Sequence, residues 1–152
     1  MMNEQGQIEV LAQTRKEIDN KVKRISELRQ EQINILEEKR NENSGIMKWY
    51  VEQRLKFSHP DLGFVNSMGP ILGYIEDTGE VIIYHVRKEK VVAQVPNDDE
   101  MRNSSIREII DIGNFENAIS GFNYLLTMQN DNLESVNKEI ERLEEEIKRV
   151  KG

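Results

Sequence analysis

A chain of 152 residues with 32% charged side chains, 6% aromatics and a net charge of −7 suits long solvated helices around a small core better than one large globule. The acidic balance argues against a broad basic face for nucleic acid, and the absence of cysteine excludes disulfide and thiolate chemistry. No apolar run approaches the ~18–20 residues that cross a bilayer, and the start of the chain lacks a charged-then-apolar leader pattern, so a cytoplasmic protein without membrane contact is expected.

In chain order, residues 7–43 predict a first long helix, with Leu11, Ile18, Val22, Ile25, Leu28, Ile35 and Leu36 at helical spacing and no proline. Ser44-Gly45 reads as its stop. Residues 46–57, which contain Trp49 and Tyr50, predict a short amphipathic helix ended by Pro60. Ile71–Ile75, Val81–Val86 and Val91–Val95 are short β-branched and aromatic runs. Asp77-Thr78-Gly79 and Arg87-Lys88-Glu89-Lys90 separate them as hairpin connections. They predict a three-stranded antiparallel meander.

After Pro96 the chain turns acidic: residues 97–134 carry Asp98, Asp99, Glu100, Glu108, Asp111, Glu116, Asp131 and Glu134 against Arg102 and Arg107. A solvated face is the plain reading, and mimicry of nucleic acid the sharper one. Ser105 with Glu108 has capping-box spacing for a short helix, Gly113 closes it, and Asn114 is placed as the N-cap of a long C-terminal helix.

Residues 115–150 carry the dominant pattern. Phe115, Ile119, Phe122, Leu126, Leu133, Val136, Ile140, Leu143 and Ile147 keep alternating steps of three and four, with Gln129 as a polar break and Val150 at the end. A period of 3.5 keeps such residues on one stripe that must be covered by another helix. At 1.5 Å per residue the rod would run about 54 Å. The first helix has a similar length, and its Arg15, Lys16, Lys21, Lys23, Arg24 and Arg29 complement Glu139, Glu144 and Glu146, whereas a parallel pair of C-terminal helices would set Glu139 against Glu144 of its twin.

The expected fold is therefore α+β: a long antiparallel coiled-coil hairpin of the N-terminal helix (1–45) and the C-terminal helix (114–152), with a small head (46–113) inserted between them. Tyr124, Leu125 and Met128, off the main seam, suggest that hairpins associate further, as dimers or tetramers.

The catalytic inventory is thin. His59 and His85 lie in different elements with no ligand at metal spacing. No serine sits in a nucleophile elbow, and Gly69-Pro70-Ile71-Leu72-Gly73 lacks the lysine of a phosphate loop. Asp98-Asp99-Glu100 lacks the glycine and closing glutamate of a calcium loop. No catalytic residue, metal or cofactor is assigned. Binding candidates are the aromatic pair Trp49 and Tyr50 with Arg54 nearby, and the basic hairpin group His85, Arg87, Lys88 and Lys90.

The order long helix, β-hairpins, long helix resembles prefoldin-type chaperone subunits, which implies rods hanging from a β platform. Ile112-Gly113-Asn114-Phe115-Glu116-Asn117-Ala118-Ile119, coming after the meander and leading into an acidic helix, is similar to the tail of large helicase/methylase proteins of phages and plasmids. That likeness implies a mobile-element source and no motor. The expected role is a non-enzymatic, self-associating interaction protein (scaffold, chaperone-like or inhibitor) that recognises a protein partner through its head. The rival is a protein that sequesters a small anionic nucleotide between subunits.

Overall fold

The computed structural model describes residues 3–152. It is an α+β molecule in which a small antiparallel sheet lies between two long helices. Asn3 opens α1 (Glu4–Glu42) by accepting from the Gly6 amide at 2.8 Å. Most of α1 stands clear of the head, and only Ile33 and Leu36 near its end are buried. The direction changes at Asn43, whose buried amide donates to the Lys39 carbonyl at 2.8 Å. The expected stop at Ser44-Gly45 thus falls slightly earlier, and Gly45 lies inside α2 (Ser44–Glu52), which buries Met47 and Tyr50.

A two-residue pairing of β1 (Phe57–Ser58) with β2 (Val65–Asn66) precedes the main sheet. That sheet has the order β3 (Ile71–Ile75), β4 (Glu80–His85), β5 (Lys90–Gln94), β6 (Arg102–Asn103), all antiparallel. The expected three-stranded meander is present, and β6 makes it four-stranded. β6 is only two residues long and is ordered by its partners: Arg102 donates to Glu80 at 2.7 Å and to Glu108 at 2.8 Å.

Both sheet faces are covered. Leu72, Ile82, Tyr84 and Val91 face the helices, against Leu36, Tyr50, Ile109, Phe122 and Met128 among others. Ile71, Val81, Ile83 and Val92 face the other way and are closed over by Leu62, Phe64, Met68, Tyr74 and Met101. This double burial explains why β4 reads as a continuous apolar run rather than an alternation. His59 fixes the covering loop. Its Nδ1 accepts from the Asp61 and Leu62 amides at 3.0 and 3.1 Å, so its Nε2 carries the proton and donates to the Asn117 carbonyl at 2.8 Å.

The short helix α3 (Ile106–Asp111) takes half of the expected capping box: the Glu108 amide donates to Ser105 Oγ, while the Glu108 carboxylate goes to Arg102 and Ser104. The long C-terminal rod is not continuous. It divides into α4 (Phe115–Asn123), a 3₁₀ turn (Tyr124–Leu126) and α5 (Met128–Lys151). Asn114 does not cap α4 with its side chain. Its amide instead accepts from Tyr74 N and donates to Tyr74 O, both at 3.3 Å, as a neighbouring strand would. α4 packs on β3, so the head extends past residue 113. Phe122 is buried and Phe115 and Ile119 pack against the core.

The expected pairing of the two long helices within one chain is not formed. α1 packs on α3 and α4, and α5 joins the head through the 3₁₀ turn. The apolar stripes of both stay bare: Leu133, Val136, Ile140, Leu143, Ile147 and Val150 are 44–89% exposed. Leu125 and Met128, expected to serve further association, are core residues of the head.

Candidate functional site

The basic hairpin and the end of α2 meet at one surface cleft. α2 finishes in a Schellman turn, with Arg54 N bonded to the Val51 carbonyl at 3.1 Å and Leu55 N to the Tyr50 carbonyl at 3.0 Å. Arg54 occupies the left-handed position of that turn, at φ 57°. The same turn ends α3, where the equivalent position is Gly113 at φ 78°. A side chain there costs about 1 kcal/mol relative to glycine, so the two turns make opposite choices at the same backbone geometry.

The second wall comes from β4. Tyr84 N bonds to the Pro70 carbonyl and Val86 N to the Met68 carbonyl, at 3.1 and 3.0 Å. These bonds carry the segment before β3 alongside the end of β4. They set Ser67 and Met68 beside His85 and Arg87, and the result is a cleft of about 280 Å³. Arg54, His85 and Arg87 supply its polar rim with Ser67, while Val51, Leu55 and Met68 supply apolar surface.

The side-chain charges acting on His85 are all positive. Burial holds the His85 imidazole below its ordinary pKa, and Lys88, Lys90 and Arg87 push it the same way. No carboxylate contributes to that shift. His85 is therefore neutral at pH 7. Its Nδ1 accepts from the Lys88 amide at 3.2 Å, so Nε2 carries the proton as a donor. Among the described residues, neither the Arg54 nor the Arg87 guanidinium forms an ion pair with a carboxylate.

Of the binding candidates from sequence, the cleft brings together Arg54, His85 and Arg87. Lys88 and Lys90 stay on the exposed hairpin. Tyr50 is elsewhere: it is buried, its hydroxyl donates to the Leu125 carbonyl at 2.6 Å, and burial raises its pKa. Trp49 is half exposed and meets Tyr50 edge-on at 5.2 Å, outside the cleft lining. Ser67 and Met68 were not anticipated, because only the backbone pairing of 68–70 with β4 brings them in.

The other surface feature is the pair of bare helical stripes. Ile8, Leu11, Ile18, Val22, Ile25 and Leu28 line α1, and the stripe from Leu133 to Val150 lines α5. No described helix is long and apolar enough to cross a membrane. Comparison of the chain with family models, with curated proteins and with solved structures yields no match.

Proposed function

We propose that this is a non-enzymatic, self-assembling interaction protein, in which α1 of one copy pairs antiparallel with α5 of a second copy and the reverse. The observation that carries the reading is the pair of bare apolar stripes on helices that do not cover each other. Such stripes on isolated helices leave them marginal in water. Covering each half-exposed Leu or Ile adds on the order of 1 kcal/mol.

Charge selects the partner. Along α1, Glu4 and Glu9 are followed by a basic stretch from Arg15 to Arg29. Along α5, an acidic stretch from Asp131 to Glu146 is followed by Lys148, Arg149 and Lys151. Run antiparallel, both blocks oppose their complements. Two α5 helices side by side would bring acidic stretches together. Each exposed ion pair is worth only about 0.5 kcal/mol, so the seam supplies the stability and the charges set the pairing.

The assembly would present its heads to a protein partner and act as a scaffold in the cytoplasm, with rods hanging from β-containing heads as in the prefoldin-type layout. Light scattering after size exclusion tests the core of this reading. The wild-type chain is expected to be dimeric or larger at micromolar concentration. Ile140→Asp with Leu143→Asp should give a monomer with an unchanged near-ultraviolet spectrum from the head. A wild-type chain that stays monomeric at tens of micromolar would overturn it.

A further inference from the structure

We propose that the cleft between the end of α2 and the β4–β5 hairpin binds a small phosphate monoester, held by Arg54 and Arg87. All the cleft residues named come from one chain, so the site stands whether or not the oligomeric reading does.

Three features of the cleft fit an anion. Two arginines line one cleft from different elements, and no carboxylate residue is among its lining residues. Guanidinium forks match phosphate oxygens bidentately, and such charge-assisted bonds are the strong ones. Next, the groups completing the rim are donors suited to the same oxygens: the Nε2–H of His85, whose other nitrogen is occupied by the Lys88 amide, and the Ser67 hydroxyl. Finally, Arg54 sits at the left-handed position of a helix-ending turn that the same chain elsewhere fills with Gly113. Backbone strain of this kind, which Glu89 and Asn97 also carry, fits a side chain retained for its function.

Size and lining narrow the class. A cleft of about 280 Å³ is at the bottom of the ~300–1,000 Å³ range usual for small-molecule sites, too small for a dinucleotide cofactor. Val51, Leu55 and Met68 offer apolar contact to the body of the ligand, which free phosphate would not use. A compact phosphate monoester, such as a nucleoside monophosphate, uses both parts.

The test is titration of the full chain, by calorimetry and by ¹H–¹⁵N correlation spectra, with inorganic phosphate, a set of nucleoside monophosphates and citrate. A monophosphate is expected to bind more tightly than phosphate and citrate, and to raise the His85 pKa, since a bound dianion opposes the Arg54, Arg87, Lys88 and Lys90 charges around that imidazole. Arg54→Gly should lose roughly ten- to a hundredfold in affinity while its thermal unfolding is unchanged or improved, because glycine relieves the turn. Arg87→Gln should lose a similar factor. Citrate binding as tightly as any monophosphate would overturn the phosphate assignment. Absence of binding at millimolar ligand, or full binding in both Arg variants, would overturn the site.

Discussion

Arg102 shows how much one side chain organises. It ties Arg102–Asn103, the strand beside β5, to two other elements, since it reaches back to Glu80 on β4 and forward to Glu108 on α3. Both carboxylates are held below the ordinary range, first by their hydrogen bonds from Arg102, and the guanidinium is raised in turn, chiefly by Glu80. Carboxylates whose folded pKa is depressed add stability above their unfolded values, and that stability is lost as pH falls through the folded values. Arg102→Met should therefore be less stable than wild type at pH 7, with the gap closing as pH drops below the usual carboxylate range. Urea unfolding at pH 7, 5 and 3 reads this. A gap independent of pH would show that Arg102 works by packing alone. At this scale little was legible beforehand: Arg102 carried no pattern in the sequence, and Asn114 looked like a helix cap when its amide serves the edge of β3.

Elements were easier to read where the apolar period is their own. The three strands of the meander stood out because buried β-branched runs are separated by turn residues, and Gly79 takes the left-handed conformation that Asp77-Thr78-Gly79 implied. β6 was invisible because two residues have no period. The break in the C-terminal rod was hidden for a different reason. A 3₁₀ turn advances each residue by 120° instead of 100°, so three residues rotate the rest of the rod by roughly 60° while leaving the three-four spacing intact. Leu125 turns inward and Leu126 outward, and one stripe becomes two with different partners. The first, on α4, depends on small residues for its closeness to β3. A β-carbon on Gly121 would lie 2.1 Å from the Ile71 carbonyl oxygen. Gly121→Ala should cost about 1–3 kcal/mol, measured as a lower urea midpoint with the helix content of α1 and α5 retained. An unchanged midpoint would mean that α4 can withdraw from the sheet without loss.

For the whole molecule, the sequence pointed correctly to two long helices around a small sheet and incorrectly to their pairing within the chain. Hydrophobic period and charge say that a stripe must be covered and by what kind of surface; they carry no information on whether the covering helix is covalently attached. The head decides that. It seats α1 by its last turns on α3 and α4 and launches α5 after the 3₁₀ turn. The cleft was half legible for a related reason: His85 and Arg87 stand together on the hairpin in sequence, whereas Arg54 and Ser67 join them only through the turn after α2 and the backbone bonds of 68–70.

Polarity has a consequence for outline. α1 is anchored by its C-terminal end and α5 by its N-terminal end. Opposed chain directions in a reciprocal dimer therefore set the two sheets abreast, with all four free tips at the far side, a two-headed brush some 35–40 Å deep beyond the sheets. Like directions would instead yield a dumbbell. Small-angle scattering separates these: one broad maximum in the distance distribution for the brush, and a second, distant peak for the dumbbell, which would exclude the reciprocal antiparallel pairing.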